Sequence, residues 1–178
     1  MLFEKDAKRG VARITINRPE MKNALTTAMY ATISDYLDDS AEDDEIKVVI
    51  LRGAGGCFTS GRDMTEVWSW YDDQNTQAPS EGKQESKKYR PSQRRRLGVN
   101  RRNVEAYYRL LFHPKATITQ VEGFALDAGL EFLLSADLSV VSRTAKLGLP
   151  ATRYLGPILG DAHLFSVGSA RYSRRICS

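Results

Sequence analysis

The chain has 178 residues, 42% hydrophobic and 27% charged, with a formal net charge of +4, a composition that fits one folded domain and excludes a disordered or fibrous chain. No apolar run approaches the roughly 20 residues needed to span a bilayer, and Met1-Leu2-Phe3-Glu4-Lys5-Asp6 lacks the apolar core of a secretory signal. The two cysteines, Cys57 and Cys177, cannot build a disulfide framework and no metal-ligand spacing is present, so a cytoplasmic protein with free thiols and no metal is expected.

In chain order, the first predicted element is a strand over residues 11–17, where β-branched residues alternate in Val11-Ala12-Arg13-Ile14-Thr15-Ile16-Asn17 before Arg18-Pro19 breaks the run. A helix is predicted over residues 26–38, with Thr26 as N-cap and Met29, Ile33, Tyr36 and Leu37 on one face. After the acidic loop at 42–45, Lys47-Val48-Val49-Ile50-Leu51-Arg52 reads as a buried strand ending in Gly53-Ala54-Gly55-Gly56. Strand, helix, strand is the order of an α/β layered domain. From residue 68 to 98 periodicity vanishes, and between residues 80 and 102 nine Lys or Arg face only two Glu. The stretch 68–102 is therefore expected to be a basic, mobile insertion, and its charge fits an anionic partner, either a phosphorylated ligand or a nucleic acid. Helical spacing returns with Val104, Tyr107, Tyr108 and Leu111 and stops at His113-Pro114. A strand over 116–121, a short apolar helix over 128–136 and a strand over 138–141 follow, with no internal repeat and no heptads.

Three positions carry chemistry. Ser60 lies in a turn after a strand, flanked by Gly61, and Ala128 opens a helix. At a helix start N–H groups lack intrahelical partners and the dipole favours negative charge. Taken singly, each reads better as an ordinary Gly-containing turn. Glu131 follows Gly129-Leu130 and precedes Phe132-Leu133-Leu134, on a helix apolar nearly all round. A carboxylate there is costly unless paired, and burial favours its neutral, proton-bearing form; the bland alternative is a glutamate facing solvent.

The stretch from Ile14 through Asn17-Arg18-Pro19-Glu20-Met21-Lys22-Asn23-Ala24-Leu25, the stretch Cys57-Phe58-Thr59-Ser60-Gly61-Arg62-Asp63-Met64, and the stretch from Pro114 through Val121-Glu122-Gly123-Phe124-Ala125-Leu126-Asp127-Ala128-Gly129-Leu130-Glu131 to Asp137 and on to Ala145-Lys146-Leu147-Gly148-Leu149-Pro150 together resemble the crotonase superfamily, the enoyl-CoA hydratase/isomerase family. The resemblance covers nearly the whole chain apart from the basic insertion. It implies an α/β, crotonase-like (ClpP/crotonase) spiral of ββα units forming a single domain over 1–178, with the C-terminal helical trimerisation region missing or incomplete. It further implies an acyl-CoA thioester substrate, an enolate oxyanion held by the amides of Ser60 and Ala128, and Glu131 as acid/base. Coenzyme A contacts fall on Lys22, Ala24, Ser60 and Asp63, with Lys22 meeting a phosphate or else lying as an exposed turn lysine. No cofactor beyond coenzyme A itself and no membrane partner is implied, and the assembly of such enzymes is a homotrimer or a dimer of trimers.

The sequence departs from the family pattern at two places. Hydratases carry a second catalytic glutamate directly after the proline matching Pro150, but here Ala151 and Thr152 follow. Neither can transfer a proton at neutral pH, which argues against ordinary two-carboxylate hydration. Asp161 is the nearest substitute acid, or else a helix N-cap. Asp127 stands where a glycine is usual, and its charge would oppose an enolate unless it points away or is paired. Trp68, Trp70 and Tyr71 could wall an acyl pocket or merely pack; His113 and His163 have no Ser or Cys partner at a telling spacing, and Asp137 reads as a structural carboxylate ending a helix. The sequence thus predicts an acyl-CoA lyase or isomerase. The rival is a non-catalytic or RNA-binding crotonase-like protein that uses the basic stretch.

Overall fold

A computed structural model describes residues 1–66 and 93–150. Strands β1 (Leu2–Asp6) and β2 (Val11–Ile16) form an antiparallel hairpin in which Leu2 pairs with Thr15 and Asp6 with Val11. Helix α1 (Thr27–Glu42) then carries the chain to β3 (Val48–Gly53), which lies parallel to β2. Helix α2 (Gln93–Leu111) leads to β4 (Ala116–Val121), parallel to β3, and β5 (Phe124–Leu126) opens directly into the short helix α3 (Ala128–Ser135). β6 (Leu138–Val141) joins β4 in parallel, completing a five-stranded sheet in the order β1-β2-β3-β4-β6, while β7 (Lys146–Gly148) pairs with β5 in a separate two-stranded sheet.

The period-2 pattern in β2 buries Ala12, Ile14 and Ile16 completely. They meet Val49 and Leu51 of β3, Ile33 and Leu37 of α1, Leu110 of α2 and Phe132 of α3 in one core. Each of the larger of these side chains removed from water contributes about 1.5–3 kcal/mol, so burial of this shared core holds the sheet and helices together. The N-terminus of α1 is capped as expected: Thr26 has extended backbone, and its hydroxyl accepts from the Met29 N–H at 3.3 Å. A carboxylate oxygen of Glu66 takes the Thr27 N–H at 2.8 Å. The buried face of α1 is centred on Tyr30, Ile33 and Leu37, with Met29 and Tyr36 at its margins.

Four expectations change. β1 was not anticipated, because its charged, largely exposed residues gain their strand character from pairing with β2. β7 and its partner β5 were likewise unread as strands. α1 runs to Glu42 rather than stopping at residue 38. α2 already includes Gln93, so the last ten residues of the supposed insertion are helical, with Arg101 and Arg102 exposed on its surface. Residues 68–92, the rest of that stretch, lie outside the described residues, as does Val67 before it. At the other edge of the main sheet, every residue of β6 is exposed among the described residues. No helix among the described residues is long and apolar enough to cross a membrane.

Candidate active site

Three segments distant in sequence are knitted together at the end of the sheet. Asn23 is fully buried at their junction. Its amide donates to the carbonyls of Ala54 at 2.9 Å and Cys57 at 2.6 Å, while its oxygen accepts from the Arg18 N–H at 2.8 Å. The Thr59 hydroxyl donates to the Asn23 carbonyl at 2.7 Å and accepts from the Gly61 N–H at 3.1 Å. The strand-like run through Thr59 pairs with β5: the Thr59 N–H donates to the Phe124 carbonyl at 2.8 Å, and the Leu126 N–H donates to the Thr59 carbonyl at 3.2 Å. With the Asn23 amide and the Thr59 hydroxyl and backbone all hydrogen-bonded, these segments are tied into one frame.

That frame brings the Ser60 turn against the start of α3. A β-carbon built on Gly129, one residue into the helix, would sit 2.8 Å from Thr59 Cγ2, so only glycine lets the helix approach this closely. Gly61, at φ +99°, faces the backbone of Leu126 and the side chain of Asp127. Ala128 is buried at the first position of α3, where the N–H has no intrahelical acceptor. The Ser60 N–H donates to the Lys22 carbonyl at 2.9 Å, with Lys22 in left-handed backbone at φ 51°. Asp127 occupies the N-cap position with φ 46° and ψ −108°, and its side chain does not cap the helix. This is backbone that favours glycine.

Glu131 lies one turn into α3 and is 8% exposed. Two phenols, from different helices, stand beside it. Tyr107 of α2 hydrogen-bonds the Glu131 side chain, and its hydroxyl donates to the Tyr30 oxygen of α1 at 3.1 Å. Burial pushes both phenols well above the ordinary tyrosine range, Tyr107 further so through the charges of Tyr30 and Glu131. The Tyr107 ring packs edge-on against Phe132 at 4.6 Å between centroids. Arg62 and Asp127 are close enough for their charges to act on Tyr30. One turn before Tyr107, Asn103 is also buried, and its amide oxygen makes no protein hydrogen bond. Sequence reading placed Tyr107 only on a helical face and passed over Tyr30. The available signal was a phenol at a core-facing position on each of two helices, since a buried hydroxyl needs a partner.

The residues expected at the coenzyme A end divide. Lys22 is exposed, at the end of a short 3-10 turn over Pro19–Met21. Ala24 is buried, and its carbonyl accepts from Arg18 Nη1 at 3.3 Å. Asp63 is 5% exposed and fully engaged: Arg18 Nη1 meets one oxygen at 2.5 Å and the Thr65 N–H donates to the other at 2.9 Å. The Arg18 hydrogen bond holds the Asp63 carboxyl below its ordinary range. Asp137 is structural, accepting from both the N–H and the hydroxyl of Thr117 at 2.9 Å. His113 bridges α1 to the start of β4, with Nε2 3.0 Å from the Leu37 carbonyl and Nδ1 accepting from the Lys115 N–H at 3.2 Å. Asp161, Trp68, Trp70, Tyr71, Ala151, Thr152, His163 and Cys177 lie outside the described residues. Among the described residues no group of three or more His, Cys, Asp or Glu could hold a metal ion.

A sequence model of the enoyl-CoA hydratase/isomerase family matches residues 6–163. The chain is 32% identical over 150 residues to the enoyl-CoA hydratase EchA19 of Mycobacterium tuberculosis, covering 84% of this chain and 50% of that protein. It is 31% identical over 139 residues to the 1,2-epoxyphenylacetyl-CoA isomerase of Escherichia coli, covering 78% of this chain and 47% of that one. Among solved structures it resembles Pseudomonas aeruginosa AtuE, with a TM-score of 0.72 and 26% identity over 98% of this chain and 57% of that chain. It also matches the fold of an enoyl-CoA hydratase/isomerase family protein from Hyphomonas neptunium, with a TM-score of 0.74 and 22% identity over 96% of this chain and 55% of that chain. The chain spans about half the length of the curated relatives it matches. On the sequence match and the shared fold, the chain belongs to the enoyl-CoA hydratase/isomerase family.

Proposed function

We propose that this chain processes an acyl-CoA thioester by proton transfer at an enolate, with the thioester oxygen held by the amides of Ser60 and Ala128 and the proton moved by Glu131. The observation that carries the reading is the close packing of the Ser60 turn on the first turn of α3, with a buried carboxylate one turn further in. An oxyanion accepting from both amides gains a few kcal/mol from each donor in a charged transition state. The Ser60 N–H becomes available when the thioester oxygen displaces the Lys22 carbonyl that now accepts from it. Lys22, Ala24, Ser60 and Asp63 border the coenzyme A end, Asp63 through its backbone because its carboxylate is committed to Arg18 and Thr65.

A single carboxylate suffices for double-bond isomerisation: it takes a proton from one carbon of the enolate system and returns it to another. Hydration asks for two, and the position after Pro150 holds Ala151. Isomerisation is therefore the outcome this site favours, with hydrolysis and decarboxylation of a thioester as the other one-carboxylate outcomes.

Glu131→Gln keeps the size of the side chain and removes its basicity. It is expected to lower turnover of an enoyl-CoA thioester by about 10²–10⁴-fold while thioester binding, measured by calorimetry, is retained. Equal turnover in variant and parent would remove Glu131 from the reaction.

A further inference from the structure

Glu131 hydrogen-bonds Tyr107 of α2 and acts by its charge on Tyr30 of α1, and Arg62 and Asp127, beside the Ser60 turn and the start of α3, act by their charges on the same Tyr30. Tyr30 and Tyr107 are 2% and 3% exposed, so neither hydroxyl is served by bulk water. The rings are clamped: Tyr30 and Tyr107 meet edge to face at 5.9 Å, and Phe132, the residue next to Glu131, lies 4.6 Å from Tyr107 and 6.1 Å from Tyr30. With the rings fixed, the two oxygens 3.1 Å apart are fixed as well.

We propose that Tyr107 is the positioning residue for Glu131, and that Tyr30 completes a two-hydroxyl relay that supports the carboxyl in both of its protonation states. The inference rests on the reading of Glu131 as the acid/base. A group that takes and returns a proton must be held equally well with and without it. A hydroxyl can do this because it both donates and accepts. With Glu131 protonated, the carboxyl would donate to the Tyr107 oxygen while the Tyr107 hydroxyl donates to Tyr30, as that hydroxyl does in this structure. With Glu131 ionised, the Tyr107 hydroxyl turns and donates to the carboxylate, and the Tyr30 hydroxyl donates to Tyr107 in turn. The phenols themselves keep their protons, because burial and the neighbouring negative charges oppose their ionisation. An aliphatic residue at position 107 would serve the packing but neither state of the carboxyl.

The test uses the full chain and butyryl-CoA in deuterated water, reading deuterium uptake at the carbon next to the thioester, a step that needs only an oxyanion site and one base. Tyr107→Phe keeps the ring and removes the hydroxyl. It is expected to slow exchange about tenfold, the effect of one hydrogen bond to a charged group, with butyryl-CoA affinity unchanged. The pH midpoint of exchange should also move upward, because the carboxylate loses a donor. Tyr30→Phe should shift the same midpoint in the same direction by less. Loss of exchange in Glu131→Gln with an unshifted profile in both phenylalanine variants would overturn the relay and leave the proposed function standing. Undiminished exchange in Glu131→Gln, or none in the parent, would defeat the functional reading. The relay is then decided by ¹³C NMR titration of the Glu131 carboxyl, assigned with Glu131→Gln: an upward move in Tyr107→Phe sustains it, and coincident curves in parent and variant overturn it. A lowered melting temperature with an unchanged profile would identify the hydroxyls as packing groups and refute the proposal.

Discussion

Asp127 and Asp63 are two aspartates in opposite circumstances. Asp127 occupies positive-φ backbone at the entrance to α3, and its side chain does not cap the helix that follows. Such backbone costs a residue with a β-carbon about 1–3 kcal/mol, and glycine would adopt it freely. Asp127→Gly is therefore expected to raise stability by about 1 kcal/mol in urea unfolding; a loss of stability would mean that the carboxylate contributes more than its backbone costs. Asp63 is buried, and Arg18 holds its carboxyl below the ordinary range. A depressed pKa means that the stabilisation is complete above the unfolded value of about 3.9 and fades as pH falls through the folded value. Asp63→Asn should lose about 2 kcal/mol at neutral pH and less at pH values below the folded pKa, as read by chemical unfolding across pH 2–7. An equal loss at both ends of that range would show that shape, not charge, sets the contribution. The turn at Ser60–Gly61 and the helix start at Ala128 were legible because turn and helix-start residues are local signals. The Tyr107 contact with Glu131 was not, since it joins residues on two helices that are 24 positions apart in sequence.

Among the elements, α1 was the most readable, because its cap and its apolar period agree. Thr26→Ala removes the acceptor for the Met29 N–H and should cost about 1 kcal/mol in thermal or urea unfolding. No change would mean that Glu66, which accepts from the Thr27 N–H, satisfies the first turn sufficiently. β1 escaped notice because its residues, Leu2-Phe3-Glu4-Lys5-Asp6, mix charge with apolar groups, and only the register with β2 makes them a strand. The start of α2 escaped for a related reason. Residues 93–102 carry five arginines and no apolar period, so nothing local marks them as helix. Further along, Ala106, Tyr107 and Leu110 bury one face of α2, and tertiary packing of that face supports a helix which propensity alone leaves marginal.

At the scale of the molecule, parallel β2, β3 and β4 deliver the loops that follow them to one end of the sheet, and the frame around Asn23 and Thr59 locks two of those loops to β5 and α3. Function in this reading depends on that convergence as much as on Glu131: two main-chain donors from turns about 68 residues apart meet a single oxygen. The measurement that tests this most directly is isotope-edited infrared spectroscopy of butyryl-CoA labelled with ¹³C at the thioester carbonyl, free and bound to the chain. Donation from the Ser60 and Ala128 amides predicts a bound carbonyl band shifted to lower frequency, already present in Glu131→Gln. A bound thioester whose carbonyl absorbs where it does in water would contradict it.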